Sequence, residues 1–195
     1  NSLKFKVQKL EKGMPENIIV GLDIGTRSVR MAAGQIVMAG GKEQLHILGV
    51  AEVPSEGVKK GAIFNVEDVI SAVSMCRERL ERLINFSVEN VYVSMNDSQI
   101  LCQGSRGLVG VMKPNGEIER EDVDRALEQA QTVIMPPNHE VLHVLSKGYS
   151  VDGQPNIKDP VGMTGIRLEV DTVLIEAQLA NLKNLQKCIY RTTLH

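Results

Sequence analysis

The chain has 195 residues, 43% of them apolar, with a net charge of −2 at neutral pH. That is apolar material for one large domain or two small ones, and a near-neutral balance argues against nucleic acid as a partner. Three Phe, three Tyr and no Trp leave no platform on which bases would stack. No stretch reads as a membrane-spanning helix, and no secretory signal opens the sequence. Cys76, Cys102 and Cys188 are odd in number and widely spaced. They read as reduced core thiols of a cytosolic protein rather than a disulfide or metal set.

In chain order, residues 1–16 carry Lys4, Lys6, Lys9 and Lys12 and read as a flexible basic tail. The alternation of Leu3 to Val7 also fits an edge strand or a weak contact with a membrane surface. An opening Asn1 in place of methionine suggests a processed or shortened chain. The run Ile18-Ile19-Val20-Gly21-Leu22-Asp23-Ile24 is a buried strand ending near a carboxylate, and Gly25-Thr26 stops it. Val29 to Val37 follows at once as a second strand, so the turn sits at a hairpin tip. Two readings stand for that tip. One is an ordinary hairpin with a polar turn. The other is a phosphate cradle, in which backbone N–H groups of Gly25, Thr26 and Arg27 converge on an anion and Gly25 leaves room for it. In that reading Asp23 holds a Mg²⁺ through water, because Mg²⁺ gives up its hydration shell reluctantly.

A third strand, Leu45 to Pro54, is closed by proline. Asn65 is a good helix cap, with Glu67 and Asp68 in the positive first turn. Val66, Val69, Ile70, Val73, Leu80, Leu83 and Ile84 recur on one face of the helix that follows. Beyond it, Val88–Met95 and Gln99–Val111 read as strands and Lys113-Pro114-Asn115-Gly116 as a turn. A helix then spans about Glu119 to Ile134, ended by Pro136-Pro137. Strands follow at Val141–Val151 and Leu168–Glu176, with a last helix over Asn181–Tyr190. The middle of the chain, strand, strand, helix, strand, makes a small α+β unit without a cluster of acids, bases or nucleophiles. It reads as a contact surface whose sheet edge is open to a neighbour. The strand Leu168–Glu176 is expected to return to the first sheet. The sheet edge left open there predicts self-pairing of the chain.

One competing motif lies in that unit. His139-Glu140-Val141-Leu142-His143 fits H-E-x-x-H, a zinc-peptidase signature with two histidine ligands and a glutamate base. The chemistry needs a helix, since residues four apart on a strand are roughly 13 Å apart. Asn138 as a cap keeps a short helix open as a reading, but only His46 and His195 remain as further histidines.

Three strands and a helix in this order, with an Asp-x-Gly-Thr turn between the first two, resemble the opening of the actin–Hsp70–sugar kinase ATPase superfamily. Three further segments narrow the resemblance: Gly49-Val50 through Gly57-Val58-Lys59-Lys60-Gly61, then Val91-Tyr92-Val93-Ser94 with Ser105-Arg106-Gly107-Leu108-Val109, and Ile157-Lys158-Asp159-Pro160 through Arg167-Leu168-Glu169-Val170. With the first strand they are similar, from about Ile18 to Ile189, to the FtsA family of bacterial cell-division actin homologues. The implied fold is α/β, an actin-like (ribonuclease H-like) ATPase subdomain interrupted by a small inserted α+β subdomain of SHS2 type. By that resemblance residues 17–85 and 167–195 form an incomplete subdomain 1A and residues 86–166 the inserted subdomain 1C. Arg27-Ser28 stands where the family often has a lysine, and Glu119 where its threonine cap is usual.

The resemblance implies ATP and Mg²⁺ as cofactors, with Asp23 on the metal side and Gly25, Thr26, Arg27 and Ser28 at the phosphates. It implies as partners the tubulin-like division protein FtsZ, other copies of the chain, and further division proteins through the inserted subdomain. Membrane contact would run through a C-terminal segment on the inner face of the cell membrane at the septum. The family's second phosphate loop lies beyond this chain, so the chain alone is expected to bind ATP weakly and hydrolyse none. A related alternative is an actin-like adaptor of type IV pilus assembly.

Overall fold

The computed structural model describes residues 18–94, 100–132 and 136–194. The basic tail, His195, and the expected helical positions Val133 and Ile134 lie outside the described residues. Residues 18–94 with 180–194 form one compact unit, and 100–132 with 136–179 form the other.

In the first unit, β1 (Ile18–Ile24) and β2 (Ser28–Ala39) are antiparallel, and β3 (Lys42–Pro54) pairs along β2. A two-stranded ribbon, β4 (Val58–Lys59) and β5 (Ala62–Ile63), leads into α1 (Val66–Ile84). Alternation places Ile18, Val20, Leu22 and Ile24 on the inner face. There they meet Val29, Met31 and Val53 and the helical row Val69, Val73, Cys76 and Leu80. Asn65 caps α1 as its sequence position suggests, its side-chain oxygen accepting the N–H groups of Glu67 and Asp68. Asn85 ends the helix in the left-handed region at φ 60°, which asparagine tolerates. Leu83 was expected on the inner face but is exposed. The last turn packs on Gly49, where Ile84 and Leu80 take up the space a Cβ would fill.

The fourth strand of this sheet is β6 (Tyr92–Ser94), which runs parallel to β1 and completes the order β3-β2-β1-β6.

The second unit begins with β7 (Leu101–Gly110) and α2 (Arg120–Ala130). It continues with β8 (His139–Val151), β9 (Gln154–Ile157) and β10 (Arg167–Gln178). Its sheet order is β7-β10-β8-β9, with β10 antiparallel to both neighbours. The helix α2 covers one face, burying Val123, Ala126 and Ala130 against Leu168 and Val170. The close approach needs Gly107, because a Cβ there would lie 1.9 Å from the Ala126 carbonyl oxygen. Glu119, a weak cap by type, is helped by Asp122, whose carboxylate accepts the Glu119 N–H at 2.9 Å. The last helix, α3 (Leu179–Arg191), buries Cys188 and Ile189 in the first unit.

Two strands lie in the opposite sheet from the one expected. Among the described residues of the expected strand 88–95, Tyr92–Ser94 form a strand, and they pair with Gly21–Asp23 of the first sheet. Leu168–Glu176 is not in the first sheet; it is the centre of the second, part of a run of ten residues, Arg167–Glu176, matched along β7. The chain therefore changes unit between Ser94 and Ile100 and again at Leu179, later than the boundaries 86 and 167. The physical reason is that an alternating strand declares which face is buried, not which sheet it joins. Val170 and Leu174 are buried where they stand, and the long antiparallel match to β7 and β8 sets the sheet they belong to.

Among the described residues no helix is long and apolar enough to cross a membrane.

Candidate functional site

The turn between β1 and β2 is built by alternation. Leu22 and Ile24 point inward, so Asp23 points to the other face, half-buried, at the last polar position before the tip. The β6 strand brings Ser94 beside it in register, and the Ser94 hydroxyl donates to Asp23 Oδ1 at 2.6 Å. That bond fixes one carboxylate oxygen. The other, Oδ2, faces Gly25, where a Cβ would come within 3.8 Å of it.

The tip itself is short. The Gly25 N–H donates to the Ser28 carbonyl at 3.0 Å, and Thr26 and Arg27 project as the exposed residues between. A Cβ at Gly25 would press on the Ser28 oxygen at 3.0 Å, so the glycine is required by the turn as well as useful to a ligand. The Gly25 N–H is consequently spent on the hairpin. Thr26 and Arg27 are left as the exposed residues of the tip. The Arg27 carbonyl accepts the Ser55 N–H at 3.1 Å, which anchors the loop to the end of β3.

Ser28 is buried, with 7% of its surface exposed. Its hydroxyl bonds the Glu52 carboxylate, and this bond, followed by Arg30, holds the Glu52 carboxyl below its ordinary range. Arg30 and Glu52 are direct cross-strand partners, 3.2 Å apart. The structure thus brings Asp23, Gly25, Thr26 and Arg27 together at one tip and turns the Ser28 side chain toward Glu52. Ser94 and Glu52 escaped the sequence reading. A serine ending a short strand carries a weak signal, and its meaning depends on a pairing 71 residues distant.

A Mg²⁺ fits this arrangement in one way only. A single half-buried carboxylate, with one oxygen that takes no hydrogen bond among the described residues, suits an ion that keeps most of its waters and takes its other ligands from phosphate. Among the described residues there is no group of three or more His, Cys, Asp or Glu able to hold a metal.

The zinc reading of His139-Glu140-x-x-His143 is overturned. The segment is the start of β8, with His139 opposite Gln178 and His143 opposite Ile175, so the histidines do not share one helical face. The His139 ring nitrogen Nδ1 lies 3.1 Å from the Pro137 carbonyl, a local contact at the strand's entrance.

Comparison with known proteins places these features in context. The family model described as the SHS2 domain inserted in FTSA matches residues 98–176. The chain is 35% identical over 178 residues to the cell division protein FtsA of Borreliella burgdorferi, covering 91% of this chain and 42% of that one. It is 36% identical over 174 residues to the FtsA of Bacillus subtilis, covering 89% and 39%. To the FtsA of Escherichia coli K12 it is 31% identical over 180 residues, covering 92% and 42%. Among solved structures, one described as the PilM-PilN type IV pilus biogenesis complex superposes with a TM-score of 0.56 at 12% identity, covering 90% of this chain and 45% of that one. The chain spans about two-fifths of the length of these curated relatives.

Proposed function

This chain belongs to the FtsA family of bacterial cell-division proteins, with an actin-like α/β fold carrying an SHS2 subdomain, and from that premise we propose that it works as the nucleotide-binding half of a division-ring adaptor. The ligand is ATP with Mg²⁺. Asp23 takes the metal side through water, and Gly25, Thr26 and Arg27 face the phosphates, with Ser28 shaping the turn from below. The bound Mg²⁺ would neutralise phosphate charge. The chain's own residues orient it: Ser94 holds Asp23 in place, and the Ser55–Arg27 bond holds the tip. The observation that carries this reading is the Ser94–Asp23 contact at 2.6 Å, which presents a fixed carboxylate beside Gly25, the position of the tip that carries no side chain.

In the whole protein the partners are the tubulin-like division protein FtsZ, other copies of the chain, and further division proteins that meet the inserted subdomain. The place of work is the inner face of the cell membrane at the division site, reached through a C-terminal segment. The unit of residues 18–94 with 180–194 corresponds to subdomain 1A and that of 100–132 with 136–179 to subdomain 1C.

The pilus-adaptor reading has fold alone in its support, at 12% identity, against 30–36% identity with division proteins. Co-sedimentation separates the two. The full-length protein is expected to pellet with polymerised FtsZ and to ignore a peptide from a pilus-assembly protein. Binding of the pilus peptide with no FtsZ association would reverse the assignment.

A further inference from the structure

The second sheet carries an open cleft of about 730 Å³, lined by residues of β7, β8, β9 and β10. Its floor is made by two glycines. Gly104 has no heavy atom within 4 Å of where a Cβ would stand, and Gly148 only the Ile157 carbonyl at 3.8 Å. Glycine in a strand interior weakens the strand, and it often marks a place where another backbone approaches closely. Between them lies Asp171, the one carboxylate of the lining, opposite Arg106 on β7 and Gly148 on β8. Arg106 Nε meets Asp171 Oδ1 at 2.8 Å and its guanidinium also lies 3.6 Å from Glu169, so the charge of Arg106 is taken up within the sheet.

Two cations then remain. Lys147 is the extra residue of a bulge, since Gly148 opposes Asp171 and Ser146 opposes Thr172. A bulge re-aims a side chain and is a feature rather than a flaw. Lys158 follows directly on β9, which the Asp152-Gly153 turn folds back beside β8. Both lysines are exposed, line the cleft, and take no part in any ion pair among the described residues. The chain as a whole is net negative, so this is a local positive field over a bare floor.

We propose that this cleft binds an extended acidic segment of a partner protein, its backbone lying over Gly104 and Gly148 and its carboxylates paired with Lys147 and Lys158. Charge complementarity selects the occupant. The guanidinium of Arg106, the group suited to a two-pronged grip on a phosphate, is already held by Asp171. Lysines are point charges on flexible stems and suit carboxylates spaced along a chain. The cleft volume falls in the range of about 300–1,000 Å³ usual for ligand sites. The proposal does not depend on the nucleotide reading, because Asp23 belongs to the other unit.

The test is fluorescence anisotropy of the whole protein with a labelled peptide of alternating glutamate and serine, beside its lysine counterpart. The glutamate peptide is expected to bind and to weaken as salt rises. The double variant K147E/K158E is expected to lose at least about ten-fold in affinity. Gly104→Leu, which fills the floor without touching a charge, should give a comparable loss at an unchanged melting temperature. Equal binding of both peptides, or affinity unmoved by both variants, would overturn the proposal. So would association with vesicles of anionic lipid in place of the acidic peptide.

Discussion

Ser94 and Asp23 face each other across a parallel strand pair, with the serine hydroxyl on the carboxylate at 2.6 Å. β6 is only three residues long, yet it supplies the group that orients the candidate metal-side acid. A short strand that would contribute little to sheet stability thus has a positional use.

Ser94→Ala tests this directly. Loss of an orienting partner is expected to weaken Mg²⁺-dependent ATP binding by about ten-fold, with ATP binding in EDTA unchanged. Ser94→Thr, which keeps the hydroxyl, should restore most of the affinity. An alanine variant that binds as the parent does would show that Asp23 needs no brace.

Gly107 and Gly104 lie three residues apart on β7 and should respond in opposite ways to the same change. A Cβ at Gly107 collides with the backbone of α2, whereas at Gly104 it meets open space. Gly107→Ala should cost about 2–3 kcal/mol, as overpacking against an immovable backbone does, and Gly104→Ala should leave the melting temperature nearly unchanged. Thermal melts followed by circular dichroism read both.

The three thiols should separate by reactivity. Burial pushes Cys76 up to about 11, and its Sγ lies 3.4 Å from the Ala51 carbonyl. Cys188 is raised by burial as well. Cys102 is exposed. Because the thiolate is the reactive species, native protein at about pH 8 should lose one thiol quickly to a maleimide and the other two only on unfolding. Mass spectrometry of the labelled peptides identifies which.

Acid should loosen the second unit through Asp122. The Glu119 N–H, and next the Arg125 guanidinium, hold its carboxyl below the usual range against the opposing effect of burial. A folded-state value below the unfolded one gives stability that is present above about pH 4 and is lost as pH falls through the folded value. Asp122→Asn should therefore flatten the acid limb of the melting-temperature profile between about pH 5 and 2. Asp122→Ala should in addition cost about 1 kcal/mol near neutral pH, the usual effect of losing a cap.

Much of the fold was legible because local chemistry marks it. Alternation located β1 and β2, Pro54 closed β3, Asn65 opened α1, and Asp23 to Thr26 marked the tip between the first two strands. Sheet membership was not legible. Tyr92–Ser94 and Arg167–Gln178 joined the sheets opposite to those expected, because pairing between strands distant in the chain leaves no local trace in either of them. The same limit hid Ser94 and Glu52, which matter only through partners brought from elsewhere. Cys102 shows a smaller limit, since a thiol expected in the core sits on the outer face of β7. The H-E-x-x-H run shows the converse error. A short motif is legible at once, but its meaning depends on a helix that β8 does not provide.

The central claim is that Asp23 stands on the metal side of a bound nucleotide. Calorimetric titration of ATP into the full-length protein and into Asp23→Ala, with Mg²⁺ and with EDTA, tests it most directly. The account predicts that the substitution weakens binding in Mg²⁺ by ten-fold or more, on the scale of a lost metal-side group, and changes little in EDTA. Equal affinity of the two proteins in Mg²⁺ would contradict it.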